Sequence, residues 1–383
     1  MEAKAVRRQP SRVRKILRHV LRLLAGATVL ALVAVIGFTI HCRPTQLLFS
    51  PTPEALRHPA QTAGVANYAR PEVDTFYTYP EWYIVWSYQS KADFQRNHLP
   101  SGYTYFGDIG QFWQAYCCVY SATRVNYSFP IGDHIMLAVI GSSFSVEYAL
   151  KGLYEETVGR LSEWTSDHQP VAEDLYAAQV AESYAAFVHI RPFYEFSFAH
   201  ALRGLWSNTP FPTPHLVRTT ERRAWLTLDY SVEAAYCELV ELATHATYGF
   251  EDTTTAVWVE FPASDNTLIS SPMTSVTILR DLGNNQAIVE IPRYQEFTTT
   301  ALRLIHDGVR FRQIAGNELI IISAISPVPW TNSMPDLQLL LSQPLLTVPG
   351  NTRNILLCRV AELHIVVPTL EHQGLKIEHI YDY

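Results

Sequence analysis

The chain of 383 residues contains no G-x-S-x-G elbow, no H-E-x-x-H, no P-loop and no G-x-G-x-x-G after a strand pattern. That removes the readily recognised hydrolase, zinc-protease and nucleotide-binding sites, although a site assembled from distant positions leaves no such trace. The balance tilts away from an enzyme. Cysteine is scarce: Cys42, Cys117, Cys118, Cys237 and Cys358 are too few for a disulfide framework. Cys117 and Cys118 are adjacent, a poor geometry for an ordinary bridge, and Cys237 and Cys358 lie in apolar runs as small core residues. Charge is also sparse, at 17% of residues, and unevenly placed. Residues 1–22 hold eight Lys/Arg against Glu2 alone, leaving 21 basic and 35 acidic residues in the remainder. So acidic a body lacks the clustered positive charge that grips a phosphate backbone, which argues against nucleic acid as a partner.

One long uncharged run is present, Leu23–Ile40, eighteen residues. As a helix at 1.5 Å per residue it measures about 27 Å, close to the hydrocarbon thickness of a bilayer. The basic arm 1–22 precedes it and only Arg43 follows closely, so the N-terminus is expected in the cytoplasm and the body across the membrane. A cleaved signal peptide is the rival reading. The run is long for one, and FTIHCRP lacks a small-x-small cleavage site, so the expectation is an uncleaved single-pass transmembrane anchor at 23–40. Prolines 44, 51, 53 and 59 make 41–74 a tether.

An aromatic-rich helical domain is expected over 75–250. Residues 76–129 hold 17 of the chain's 46 aromatics, a composition that suits a tyrosine-rich core, a membrane–water interface or a ligand cleft. Thr78 and Glu81 have capping-box spacing for the first helix. Ile135–Val146 is too short for a second crossing, and Glu147–Lys151 and Glu156–Arg160 have i, i+4 pairing. Five or six helices are expected in all. The last, about 220–246, shows a seam at Trp225, Leu228, Val232, Ala235, Leu239 and Leu242 that predicts its buried face.

On that helix Glu238, Glu241 and His245 have the residue types and spacing of a metal site. Their azimuth points away from the seam, toward water, so no metal site and no cofactor is expected. The three remain the candidates of a rival reading, a membrane-associated metal-dependent enzyme. A third reading is a lipid-handling protein whose 76–147 region enters the bilayer interface.

From about 253 the pattern turns to strands, and one line is written twice: HDGVRFRQI at 306–314 and HQGLKIEHI at 372–380. In each, His closes a helix, Gly takes the left-handed stop and a strand begins. The match extends upstream through a helix and a strand, so the repeating unit reads as β-α-β. Val309 and Phe311 share a strand face that Ile314 should not share, as do Leu375, Ile377 and Ile380, which predicts a β-bulge at one place in both copies. The expected fold is therefore α+β: the transmembrane helix, the helical bundle, then a ferredoxin-like sandwich over 253–383 with an extra strand from 317 and an insertion at 327–350.

The segments TYPEWYIV, IGQFW, VEYALKGLYEETVGRLSEW, RQIAGNE and IEHIYDY resemble a group of uncharacterised bacterial membrane-anchored proteins. The resemblance implies a bacterial setting and assigns no activity; with the anchor it gives the expectation of the inner membrane, the body periplasmic or extracytoplasmic. The leading expectation is a membrane-anchored extracytoplasmic protein that binds an envelope protein or a small ligand at the membrane surface. Self-association through the ferredoxin-like units is a further option.

Overall fold

The computed structural model describes residue 68 and residues 77–123, 131–211, 214–247, 253–262, 276–327 and 330–382. The basic arm, the anchor at 23–40 and nearly all of the tether lie outside the described residues. Among the described residues no helix is long and apolar enough to cross a membrane.

The first part is helical: α1 (Thr78–Gln95), α2 (Tyr105–Thr123), α3 (Ile131–Tyr154), α4 (Ala172–Val188), α5 (Phe198–Asn208) and α6 (Leu216–Thr247). Tyr77, and not Thr78, occupies the cap position of α1, with no side-chain cap bond. Helix α3 runs on through a π-turn, Glu155–Gly159, into Arg160–Glu163. A Cβ at Gly159 would meet Glu155 Oε2 at 2.5 Å, so glycine lets that carboxylate fold back into the interior. The π-turn also breaks the i, i+4 register expected for Glu156 and Arg160; Arg160 donates to the Ser101 carbonyl at 2.9 Å instead. Glu147 and Lys151, one turn earlier, pair at 2.8 Å as expected.

The seam expected to bury α6 faces outward. Leu228, Val232, Leu239 and Leu242 are 56%, 58%, 64% and 72% exposed. The buried face carries Arg218, Arg222, Leu226, Tyr230 and Cys237, with Arg223 beside it. Apolar periodicity fixes that a helix has two faces, and charge complementarity here decided which one turned in. Arg218 reaches Asp174 at 2.9 Å, Arg222 reaches Glu155 at 2.8 Å and Arg223 reaches Glu173 at 2.7 Å. One turn on, Lys151 Nζ lies 2.8 Å from Glu147, 3.2 Å from Asp229 and 3.0 Å from Glu233. Buried charges persist only when so paired.

The second part has helices α7 (Tyr294–His306) and α8 (Leu363–His372) and eight strands. They are β1 (Thr254–Glu260), β2 (Thr277–Gly283), β3 (Gln286–Pro292), β4 (Arg310–Ile314), β5 (Leu319–Pro327), β6 (Leu337–Pro344), β7 (Asn351–Arg359) and β8 (Lys376–Ile380). The molecule is thus mixed α+β, with eight helices and two four-stranded antiparallel sheets among the described residues. Strand orders are β2-β3-β1-β4 and β6-β7-β5-β8, the same topology twice. In each copy the third and fourth strands run parallel with the first between them, a split β-α-β.

The expected single sandwich is corrected accordingly. The repeat is β-β-β-α-β, and each copy forms its own sheet. The extra strand from 317 is β5, which opens the second copy, and the insertion at 327–350 contains β6, the counterpart of β2. Strand β2 lies where SVTILRD reads as a strand, whereas β6 shifts register between Leu339 and Leu341 and so lacks the alternation that marks one. The bulge is where it was expected. Against β1 the ladder skips Arg312, and against β5 it skips Glu378, the same position in the two copies. Gly308 and Gly374 take φ of +84° and +83°. Each helix also touches the last strand of the other copy, so one core runs through both sheets.

Candidate functional site: a cleft between the bundle and the second sheet

One face of the second sheet lies on α1 and α2. Helix α1 sends Tyr79, Trp82 and Trp86 into the core shared with both sheets, so most of the aromatic-rich window is structural core. Trp82 lies 3.7 Å from the His379 ring, centroid to centroid, and Arg353 of β7 sits 4.3 Å over Trp86. Tyr79 donates to Gln343 of β6. The Gln343 amide donates to the Gln111 carbonyl at 2.9 Å, and Gln111 Nε2 donates to the Pro344 carbonyl at 2.9 Å. These bonds fasten α1 and α2 to the sheet.

Above that joint opens a narrow cleft lined by Tyr83, Ser87, Ser90, Asp108, Gln111, Leu345, Leu346 and Arg353. Its chemical centre is the buried Asp108 carboxyl. Tyr83 lies 2.8 Å from Oδ1 and Tyr103 lies 2.5 Å from Oδ2. Each phenol also faces a second acceptor: Tyr83 lies 2.9 Å from Gln111 Oε1, and Tyr103 lies 3.1 Å from the Ser87 carbonyl. Since Gln111 Nε2 is committed to Pro344, its oxygen must face Tyr83. Two phenolic protons therefore confront four acceptors. A proton on Asp108 relieves the shortage, and burial pushes the carboxyl up to about 6 despite the bonds from Tyr103 and Tyr83.

The adjoining charges are matched. Arg353 holds Glu378 through two bonds, at 2.6 and 2.8 Å, and its own charge is favoured by that carboxylate. Behind the pair, His379 is fully buried, and desolvation drives its pKa well down, with His189 adding to the fall. Gln295 Nε2 points to the Glu378 carbonyl at 3.5 Å, which leaves Gln295 Oε1 facing His379 Nδ1 at 3.3 Å; Thr298 Oγ1 lies 2.9 Å from the same nitrogen. The proton belongs on Nδ1, and Nε2 is a buried acceptor without a hydrogen-bond partner.

The metal candidates are not brought to this cleft. Glu238 is exposed and Glu241 half-buried on α6, while the side chain of His245 lies outside the described residues. Among the described residues no group of three His, Cys, Asp or Glu is placed to hold a metal ion. Cys118, Cys237 and Cys358 are free and buried, whereas Cys117 is disulfide-bonded. The sequence reading missed Asp108, Tyr83, Gln111 and Arg353 because they come from three distant segments with no fixed spacing. One signal was available: the second copy writes Glu378-His379 where the first writes Arg312-Gln313, and that departure falls beside the cleft. Compared with protein-family models, with curated proteins and with solved structures, the chain matches none.

Proposed function

We propose that this chain is a membrane-anchored extracytoplasmic binding protein that takes a small, uncharged ligand rich in hydroxyl or amide groups in the cleft above Asp108. The observation that carries the reading is the convergence of Tyr83, Ser87, Ser90, Gln111 and the Asp108 carboxyl on one opening between the bundle and the sheet. The one guanidinium in the lining, Arg353, is already paired with Glu378, so the cleft offers hydrogen bonds and, above a pH of about 6, the charge of Asp108 alone. Leu345 and Leu346 add apolar lining.

The setting is supported by the uncharged run at 23–40 behind its basic arm. Each β-β-β-α-β copy reads as a ferredoxin-like unit on the strength of its split β-α-β. The test is thermal shift of the full chain in detergent against a panel of neutral sugars and small amides. A member that raises Tm for the wild type and fails to do so for Gln111→Ala supports the reading. No shift from any member at millimolar concentration contradicts it.

A further inference from the structure

Between helices α3 and α6 the paired charges lie inside, while their outer side carries an apolar surface. Helices α3 and α6 lie side by side: Ser143 meets Tyr236 at 2.8 Å, Lys151 meets Glu233 at 3.0 Å, and Tyr154 stacks on Trp225 at 3.6 Å between ring centroids. The order of these contacts makes the helices antiparallel. Everything ionic between them points inward, where Lys151 gathers three carboxylates and Arg222 holds Glu155. The outward face of the pair carries Val139, Val146 and Leu150 on α3 and Val232, Leu239 and Leu242 on α6, all more than half exposed. At 100° per residue each trio falls on one side of its helix, opposite the buried face.

We propose that this outer face of α3 and α6 lies in the interfacial layer of the bilayer, with both helices parallel to the membrane plane. A soluble bundle facing water on all sides has no use for an apolar stripe on two adjacent helices, and contiguous exposed apolar surface marks an interaction site. The occupant is lipid for two reasons. The chain outside the described residues contains an uncharged run at 23–40, and only residues 41–76 separate it from the body, so the body stays within reach of the membrane surface. The exposed residues of α3 are apolar along about 27 Å, from Ile135 to Leu153, and beyond the π-turn Trp164 is exposed, an amphipathic ring of the kind that settles at headgroup level. Because the other sides of both helices are buried in protein, the pair lies on the bilayer and does not span it.

This inference rests on the anchoring reading, and the experiment separates the two. The full chain is reconstituted in phosphatidylethanolamine–phosphatidylglycerol vesicles containing a phospholipid with a diazirine in its acyl chain, then irradiated and mapped by mass spectrometry. The expected result is label on 23–40 and on segments 135–153 and 228–242, with none on Ile278 and Leu279, apolar residues exposed on β2. Label confined to 23–40 overturns the proposal and leaves the anchor standing; label on neither overturns both. If a second copy covers the face instead, 135–153 and 228–242 stay unlabelled and the chain runs as a dimer in detergent, which also overturns it.

Discussion

The Tyr83 hydroxyl lies 2.8 Å from Asp108 Oδ1 and faces Gln111 Oε1 at 2.9 Å, so one phenolic proton serves two acceptors. Burial holds the Asp108 carboxyl up at about 6, above its ordinary 3.8, against the lowering by the Tyr103 and Tyr83 bonds. The folded chain therefore binds more protons than the unfolded chain between those values, and stability falls as pH rises through the window, levelling above it. Asp108→Asn supplies amide protons at every pH. The difference in urea midpoint between wild type and variant should shrink as pH falls from 7 to 4; a constant difference would contradict the shared-proton account.

His379 acts in the opposite sense. Its folded pKa is depressed, so the stability it contributes is present above about 6.5 and is lost as pH falls through that value, with a slope of at most about 1.4 kcal/mol per pH unit. His379→Gln should flatten the acid limb of the stability profile relative to wild type. An unchanged acid limb in a folded variant would show that this imidazole is not held neutral.

The Arg353–Glu378 pair is buried over Trp86. Glu378→Gln should cost about 3–5 kcal/mol because it leaves a guanidinium buried without its carboxylate. The double variant Arg353→Met with Glu378→Leu should recover most of that loss. Equal destabilisation by single and double variants, measured by denaturant titration, would mean that the pair is not coupled.

The duplicated copies make a matched prediction. Gly308→Ala and Gly374→Ala each force a side chain into the left-handed region, at a cost of about 1–2 kcal/mol, and each site is roomy enough that strain is the main effect. The two losses should be similar. A much larger loss at one site would show that the copies are not structurally equivalent there.

The doubled ending was legible because helix stops and bulges are local. Gly308 and Gly374, and the skipped Arg312 and Glu378, follow from side-chain alternation within one strand. The strand β6 was not legible, since its ladder shifts register between Leu339 and Leu341 and its alternation is broken there. The inverted face of α6 was misread because periodicity locates an apolar stripe without naming what covers it. Leu239 and Leu242 satisfy the pattern, yet Arg218 and Arg222 find carboxylates only on the inner side. The cleft at Asp108 depends on contacts between residues more than two hundred positions apart, such as Gln343 with Gln111, which no local reading reaches.

The most direct test of the binding cleft is crystallographic fragment screening of the protein at pH 5 and pH 7.5. The account predicts neutral hydroxyl- or amide-bearing fragments seated against Gln111, Ser90 and the Asp108 carboxyl, with different occupancy at the two pH values. Fragments that gather elsewhere and leave this cleft unoccupied at both would contradict it.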